Sequence, residues 1–340
     1  MITSKKKVTR NDVAKLAGTS SAVVSYVINN GPRPVSDKVR QKVLEAIRIT
    51  GYRPNNIAKA LASGKSNCIG LVIPNIANPF IATLAHAIEC EAIKRGFVIL
   101  LGDSDDNQQQ EYELLNFFLQ RQVDGIIYNA IKEPYFELLH SIDTPFVLLN
   151  PINKYQGSNI VKIDESKAAF DIVLKMLDFG YQKIAIICGP EGMNNTHDRI
   201  LGWKQALLSK GIMPDENLIF YSDYTRQAGY KVALEIVDKV KFDGVFTTNE
   251  MQAFGALRAF REKNLNVPND IGLTTFNATE LSDFCTPPLT CMKQPVDLVA
   301  LQTLDMLLEH RDNKCFDIPY KIVDGMSIKK NKLKGKTCIK

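Results

Sequence analysis

Hydrophobic positions follow two patterns along the chain, and the change between them falls close to residue 67. In the first part they recur every three or four residues, which is typical of short amphipathic helices. We therefore expect three short helices in the first fifty residues. The apolar groups that predict them are Val13, Leu16 and Ala17; Val23, Val24, Val27 and Ile28; and Val39, Val43 and Ile47.

Residues that begin and end helices flank these groups. Thr9 and Asp12 have the spacing of a capping box, and Gly18 permits a tight turn after the first helix. Ser20 and Ser36 are favourable N-caps for the next two helices, and Gly51 ends the third. Two short helices around a glycine turn, supported by a third, predict a helix-turn-helix unit. Helical spacing alone equally allows a three-helix module that binds no nucleic acid.

From Cys68 onward, apolar runs of strand length alternate with amphipathic stretches. Alternating strands and helices predict parallel sheets with helices on both faces, and two sets of strands predict two doubly wound lobes. A ligand would bind at the carboxyl ends of the strands, between the lobes. The predicted strands are 68–73, 97–101, 125–128, 146–149 and 160–163, then 184–188, 218–221, 244–247 and 271–276.

The charge of the chain is divided between these two parts. Residues 1–66 hold 13 Lys and Arg against 3 Asp and Glu, a net charge of +10, whereas the remainder holds 29 against 34, a net charge of −5. A small basic module joined to a mildly acidic body favours a polyanion as the partner of the module. A charged face that serves only solubility is the alternative.

Several classes of protein are disfavoured by missing patterns. No apolar run is long enough for a membrane span, and no signal core follows the basic N-terminus, so we expect a cytoplasmic protein that does not contact a membrane. The seven cysteines contain no C-x-x-C pair, and the four histidines lack metal-ligand spacing. Nucleotide-binding glycine motifs and a G-x-S-x-G elbow are also missing, so we expect neither a cofactor nor an enzyme.

Several segments of the first part resemble the head of the lactose-repressor (LacI/GalR) family: NDVAKLAG at 11–18, VSYVIN at 24–29, VS at 35–36 and GYRPN at 51–55. The body resembles the periplasmic-binding-protein-like core of the same family, in NPF at 78–80, VDGII at 123–127, R-x-x-G-W at 199–203 and PPLT at 287–290. This resemblance covers nearly the whole chain. It implies a transcription repressor that binds a near-palindromic double-stranded DNA operator as a homodimer, under the control of a small-molecule effector.

The resemblance also implies which residues of the head contact DNA. Base edges would be read by Ser21, Ala22 and Tyr26, and phosphates would be held by Thr9, Ser20, Ser25 and Asn29. Members of the family commonly have Arg at the position of Tyr26, and arginine can bind guanine through two hydrogen bonds. Tyr26 offers one hydroxyl and an aromatic face instead, so the operator sequence stays open.

The resemblance further divides the chain into a DNA-binding head, 1–53, a hinge helix and linker, 54–66, and an effector-binding and dimerisation body, 67–340. Asn55, Ala58 and Leu61 of the hinge would contact DNA, and Leu61 would wedge between base pairs in the minor groove. Such a helix is too short to be stable alone in water, since roughly 12–15 residues are needed. The alternative is a linker helix with no DNA contact.

In the body, the resemblance implies an effector site formed by Phe80, Asn129, Asn150, Asn195, Arg199, Tyr224, Asn249, Asn277 and Gln294. Arginine and asparagine suit a ligand rich in hydroxyl groups, and an aromatic ring can cover the apolar face of a sugar. Most members have an acid at the position of Asn277, and an acid is frequent at that of Asn150. A sugar, a modified or anionic sugar, and a ligand of another class all stay open.

Two other functions compete with this interpretation. One is a ligand-binding protein or sugar-processing enzyme without a DNA function, against which the basic head argues. The other is an architectural DNA binder that tolerates many sequences. Residues 329–340 contain no leucine heptads, which favours a dimer over a tetramer.

Overall fold

The computed structural model describes residues 8–29, 31, 33–53, 64–141, 143–150, 158–309 and 314–330. Contacts divide the chain into two compact units, Met1–Ser66 and Asn67–Lys340. No helix within the described ranges is long and apolar enough to cross a membrane.

The smaller unit contains the three predicted helices: α1 (Arg10–Ala17), α2 (Ser21–Asn29) and α3 (Asp37–Thr50). Their buried side chains form one small core, to which all three helices contribute: Val13, Ala14, Ala17, Val24, Val27, Val43 and Ala46. The helix-turn-helix arrangement is therefore confirmed, with α3 packed against both other helices.

The predicted capping box at the start of α1 is present. The backbone N–H of Thr9 donates to Asp12 Oδ2 (2.8 Å), and the backbone N–H of Asp12 donates to Thr9 Oγ1 (3.4 Å). Gly18 and Gly51 end α1 and α3 with φ values of +63°, in the left-handed region that favours glycine. The backbone N–H of Val23 donates to Ser20 Oγ (3.3 Å), so Ser20 caps α2 as predicted.

Two details of this unit differ from the sequence-based expectation. Ser36 precedes α3, but its side chain makes no capping hydrogen bond. Leu16 is 53% exposed, because α1 buries Val13, Ala14 and Ala17 instead. At 3.6 residues per turn this buried stripe extends to one side of Val13, and Leu16 falls on the other side.

The larger unit has two lobes, each built on a six-stranded sheet. The strands of lobe 1 are β1 (Cys68–Ile73), β2 (Val98–Asp103), β3 (Gly125–Tyr128), β4 (Phe146–Leu149), β5 (Asn159–Lys162) and β11 (Cys315–Asp317). They are all parallel, in the order β11-β5-β4-β3-β1-β2.

Lobe 2 has the same arrangement with one strand reversed. Its strands are β6 (Ile184–Cys188), β7 (Ile219–Tyr221), β8 (Gly244–Thr247), β9 (Gly272–Thr275), β10 (Thr290–Lys293) and β12 (Lys321–Val323). Their order is β12-β10-β9-β8-β6-β7, and only β12 is antiparallel to its neighbour. The predicted pair of doubly wound lobes is confirmed.

Helices cover both sheets, which explains why the central strands are apolar throughout. In chain order they are α4 (Pro79–Lys94), α5 (Gln108–Gln120), α6 (Phe136–His140), α7 (Glu165–Asp178), α8 (Asn194–Ser209), α9 (Arg226–Lys239), α10 (Glu250–Glu262), α11 (Leu281–Phe284) and α12 (Val296–Leu308). The helices α7 and α8 pack together, as do α9 and α10, and α12 packs on α4.

The chain passes between the two sheets three times: from β5 to β6, from β10 to β11, and from β11 to β12. The sequence pattern did not predict β10, β11 or β12. The last two are only three residues long, and two of the three side chains of β11 are exposed. Such short strands have too few alternating positions to show a period.

Candidate functional sites

The predicted DNA-reading residues lie on the outer side of α2. Ser21, Ser25 and Tyr26 are partly exposed, whereas Ala22 and Asn29 are exposed. The side-chain amide of Asn29 donates to the backbone oxygen (3.1 Å) and the hydroxyl (3.3 Å) of Ser25. The face therefore offers hydroxyl and amide groups, the chemistry that contacts phosphates and base edges.

The position of Tyr26 depends on the turn that follows α2. A Cβ atom at Gly31 would lie 2.5 Å from Cδ1 of Tyr26, so only glycine lets the backbone approach the ring so closely. The backbone N–H of Gly31 donates to the carbonyl oxygen of Tyr26 (3.0 Å). The glycine thus fixes one side of the tyrosine ring.

Thr9 and Ser20 lie at the N-termini of α1 and α2, where free backbone N–H groups favour phosphate. The hydroxyl of Thr9 also donates to Asp12 Oδ2 (2.7 Å), so it is engaged within the helix cap. Asn55, Ala58 and Leu61 lie outside the described residues, and their roles stay predictions.

In the larger unit, a cleft of about 850 Å³ is lined by residues of both lobes. It lies where the carboxyl ends of β1, β3 and β4 of lobe 1 meet those of β6, β8 and β9 of lobe 2. Eight of the nine predicted effector residues line it: Phe80, Asn129, Asn150, Asn195, Arg199, Tyr224, Asn249 and Asn277. Gln294 does not line the cleft, but its side-chain amide donates to Asn277 Oδ1.

Arg199 is the most completely fixed of these side chains. It is 3% exposed, its Nε donates to Glu165 Oε2 (2.6 Å), and its Nη1 donates to the carbonyl oxygen of Thr248 (2.6 Å). Its guanidinium carbon lies 4.1 Å from the centre of the Phe276 ring. The same side chain therefore forms a buried ion pair and lines the cleft.

The R-x-x-G-W segment has a local reason for its residue types. A Cβ atom at Gly202 would lie 2.1 Å from the carbonyl oxygen of Ser166, so glycine is needed where α8 crosses α7. Trp203 is fully buried, and its ring N–H donates to the carbonyl oxygen of Ile184 on β6 (3.0 Å). Together these contacts fix the position of α8 against α7 and β6, and so the position of Arg199, which lies one turn earlier on α8.

Asn150 and Asn277 occupy matching places in the two lobes. Asn150 directly follows β4 and Asn277 lies two residues after β9, and both have left-handed backbones, with φ values of +44° and +53°. Asparagine tolerates this region better than most residues do. Asn150 Oδ1 accepts a hydrogen bond from the backbone N–H of Ile163 (3.1 Å), at the start of the first crossing between the sheets. Gln294, at the start of the second crossing, holds Asn277.

Four residues that support the cleft were not singled out in the sequence: Glu111, Glu165, Gly189 and Glu250. Glu165 binds Arg199. Gly189 leaves room for Tyr224, because a Cβ atom at position 189 would lie 2.1 Å from the tyrosine hydroxyl. The carboxylate of Glu250 accepts hydrogen bonds from Thr279 and Ser282, which fixes the loop that carries Asn277. Only Gly189 left a usable signal, since a glycine followed by proline directly after an apolar run marks the end of a strand.

Glu111 supports the wall of lobe 1. It is fully buried, and its carboxylate accepts hydrogen bonds from the hydroxyl of Tyr128 (2.8 Å) and the backbone N–H of Ile131 (2.9 Å). Burial raises the pKa of this carboxyl, and the two hydrogen bonds oppose that effect. Because Ile131 lines the cleft, Glu111 sets the position of the loop that carries Asn129.

Other sites in the described part of the chain are less well organised. A cavity of about 1040 Å³ lies at the edge of lobe 2, between β7 and the ends of α8 and α9, and it contains none of the predicted residues. Among the residues described, no group of three or more His, Cys, Asp or Glu is placed to hold a metal ion.

Comparisons with known proteins agree with both units. Residues 9–55 match the family model of bacterial regulatory proteins, lacI family, and residues 173–327 match that of the periplasmic binding protein-like domain. The catabolite control protein A of Priestia megaterium is 36% identical over 95% of this chain and 99% of its own length. The transcriptional repressor CytR of Escherichia coli K12 is 32% identical over 88% of this chain and 89% of its own length.

A solved structure extends the likeness to three dimensions. The lac repressor dimer bound to operator and the anti-inducer ONPF superposes with a TM-score of 0.87 at 25% identity, over 95% of this chain and all of that one. CytR is named as a transcriptional repressor, and the lac repressor structure is described as bound to its operator. The chain therefore belongs to the lacI family of bacterial regulatory proteins and is a DNA-binding transcription regulator.

Proposed function

We propose that the protein is a cytosolic repressor that binds a near-palindromic operator as a homodimer. Its affinity for the operator would fall or rise when a small molecule binds in the cleft. The observation that carries this proposal is the cleft itself, because it gathers eight of the nine predicted effector residues from segments far apart in the chain. The lac repressor structure, described as a dimer bound to operator and an anti-inducer, supports the same combination of partners.

For DNA recognition, we propose that α2 enters the major groove. Ser21, Ala22 and Tyr26 would face base edges, while Ser25 and Asn29 would hold phosphates together with the N-terminal ends of α1 and α2. The net charge of +10 on residues 1–66 supports this orientation, since phosphate neutralisation supplies much of the affinity.

For the link between the two units, the proposal rests on the sequence. Within the hinge helix and linker at 54–66, the helical stretch 54–62 would form only when two copies meet on DNA. Asn55 and Ala58 would then contact DNA, and Leu61 would wedge into the minor groove. A change in the angle between the lobes would then favour or disfavour the paired hinges.

For the dimer, exposed apolar side chains on lobe 1 offer a surface. They lie on three consecutive elements, α4, β2 and α5: Ile93, Val98, Leu101, Tyr112 and Phe117, of which Ile93 and Val98 are 61% and 59% exposed. On lobe 2, Phe284 of α11 is 84% exposed. Apolar side chains grouped in this way are typical of an interface between proteins.

The proposal is tested by selecting binding sites for the full-length protein from random duplex DNA and footprinting the protein on the enriched sequences. We expect one near-palindromic sequence, bound with an affinity that falls steeply as salt is raised. Enrichment of no sequence would reject specific recognition. Indifference to duplex DNA at low salt would reject the DNA function itself.

Two single substitutions, compared with each other, separate base recognition from electrostatic attraction to the phosphates. Tyr26→Ala should weaken binding to the selected sequence far more than binding to random DNA, because it removes a base contact. Lys38→Ala, on α3 of the same unit, should leave the preference between the two DNAs unchanged. Equal losses on both DNAs for Tyr26→Ala would remove Tyr26 from base reading.

A further inference from the structure

Two asparagines of the cleft, Asn249 and Asn150, are each held in one orientation by the protein. The backbone N–H of Met251 donates to Asn249 Oδ1 (2.7 Å), and that of Ile163 donates to Asn150 Oδ1 (3.1 Å). A backbone N–H can only donate, so the oxygen must face it and the amide nitrogen must point elsewhere. Within the described part of the chain, neither Nδ2 group has a hydrogen-bond partner.

Two more cleft asparagines accept hydrogen bonds from side chains, which differ from a backbone N–H in that they can also accept. Asn277 Oδ1 accepts from Gln294, and Asn195 Oδ1 accepts from the hydroxyl of Tyr224 (3.1 Å). Asn277 is 8% exposed, and its Nδ2 has no partner among the described residues. These donors are not among the buried unsatisfied groups, so solvent reaches them in the cleft and a ligand with acceptor atoms can take the place of that water.

Arg199 adds to the same excess of donors. Its Nε and Nη1 are used by Glu165 and Thr248, whereas its Nη2 has no hydrogen bond to a described residue. The carboxylate of Glu165 also lines the cleft, and its negative charge is offset by the positive charge of Arg199. The buried part of the lining therefore combines a cation, a carboxylate that offsets it, and several amide N–H groups.

Charges of both signs stand at the exposed part of the lining. Lys132 of lobe 1 and Arg226 of lobe 2 form no ion pair with a described residue. Asp106, Glu191 and Asp223 are exposed acids, which water screens more effectively than it screens buried groups. The buried groups therefore decide which ligand chemistry is favoured.

We propose that the effector is a small oxyanion, bound through a carboxylate or phosphate group to the Nδ2 atoms of the cleft asparagines and to Arg199. This inference rests on the proposed function, since it assigns a chemical class to the effector of that cleft. Hydrogen bonds from amide and guanidinium donors to an anionic oxygen are shorter and stronger than those to a neutral hydroxyl.

The first experiment compares neutral and anionic probes of matched shape. Glucose, gluconate, glucuronate and glucose 6-phosphate are titrated into the full-length protein by calorimetry, with acetate and inorganic phosphate as minimal anions. We expect an anionic member to bind at least ten-fold more tightly than glucose. Equal or tighter binding of glucose would overturn the proposal, and so would the absence of binding by every anion at 10 mM, on the order of the weakest affinities of interest.

Substitution to aspartate tests the donors directly, because it keeps the oxygen that the protein needs and replaces only the free N–H group. Asn249→Asp preserves the acceptor for Met251, so the helix cap of α10 survives. We expect it to weaken binding of the best anion by roughly ten- to a hundred-fold, the range given by losing a hydrogen bond to a charged group. Unchanged anion binding would contradict the proposal.

A matched control is available in the same molecule. Asn107 caps α5 in the same way, its Oδ1 accepting from the backbone N–H groups of Gln109 and Gln110, but it does not line the cleft. Asn107→Asp should leave anion binding unchanged. A loss in this variant equal to that of Asn249→Asp would show that net charge, and not the cleft donor, causes the effect.

The proposed function and this inference fail in different ways. If glucose but not the anions binds and alters operator affinity, the function stands and the inference falls. If an anion binds, Asn249→Asp abolishes that binding and operator affinity does not respond, the anion site stands, but its occupant is not an effector and the regulatory role of the cleft falls.

Discussion

The two lobes each bury a glutamate beside the cleft and stabilise it differently. In lobe 1, Glu111 receives hydrogen bonds from a tyrosine hydroxyl and a backbone N–H, both neutral, and burial raises the pKa of its carboxyl. In lobe 2, Glu165 receives a charged hydrogen bond from Arg199. The difference shows that neutral donors hold the glutamate of lobe 1, whereas a cation with spare donors holds the glutamate of lobe 2.

The largest effect should follow from breaking the pair in lobe 2. Arg199→Met leaves Glu165 buried without its partner, so we expect a loss of about 3–5 kcal/mol in the free energy of unfolding. Chemical denaturation measures it. Adding Glu165→Gln should recover most of the loss, because no buried charge is then unpaired.

An exposed pair provides the control for that measurement. Arg258 donates to Glu262 (2.9 Å) on α10, and the side chain of Arg258 is 74% exposed. Arg258→Met should cost much less than Arg199→Met, because water screens an exposed pair. A loss at Arg199 as small as that at Arg258 would mean that the buried pair has no special weight, and the contrast between the lobes would disappear.

A smaller effect is expected at the helix contact that positions Arg199. Gly202→Ala would place a methyl group 2.1 Å from the carbonyl oxygen of Ser166, so α7 and α8 must separate. We expect destabilisation of about 1–3 kcal/mol, the usual result of overpacking, together with weaker ligand binding. Gln205→Ala, exposed on the same helix, should stay within about 0.5 kcal/mol of the wild type. Equal stability of both variants would contradict the close contact.

The smallest effect concerns the pH dependence of lobe 1. Because the pKa of Glu111 is raised by burial in the folded state, its contribution to stability is largest below the unfolded value and is lost as pH rises through the folded value. Glu111→Gln removes this titration, while its amide can still accept from Ile131 and donate to Tyr128. The stability of the wild type relative to the variant should therefore fall as pH rises above about 4.3, the ordinary pKa of a glutamate side chain.

The control for that titration is Glu113→Gln, an exposed position on the same helix. Its stability should stay within about 0.5 kcal/mol of the wild type, as is usual for a surface substitution that removes no buried contact. A flat difference for Glu111→Gln would show that its carboxyl is not perturbed. The two lobes would then not differ in how they hold their glutamates.

Much of this architecture could be predicted from the sequence. The central strands are continuous apolar runs. The capping box and the glycine after α1 indicate where the first helix begins and ends. The cleft residues were predicted by resemblance, and eight of them line one cavity. Their roles as ligand contacts stay a proposal.

What the sequence could not supply were pairings between distant positions. Glu165 lies 34 residues before Arg199, and no spacing rule joins them. Glu111 resembles any acid on an amphipathic helix until the fold buries it against Tyr128. The amide of Asn150 is likewise oriented by the backbone N–H of Ile163, on another segment, so this donor of the cleft emerges only from the assembled structure.

The placement of β11 and α12 affects how the protein is made. Lobe 1 takes its edge strand from Cys315–Asp317 and the helix that covers α4 from Val296–Leu308, although its other strands end at Lys162. As the ribosome releases the chain from its N-terminus, the DNA-binding head can fold early, but the first lobe must wait for almost the entire polypeptide. Premature termination near residue 290 would thus leave both lobes incomplete. During normal translation, the face of α4 that α12 covers would stay accessible to chaperones until α12 has been made.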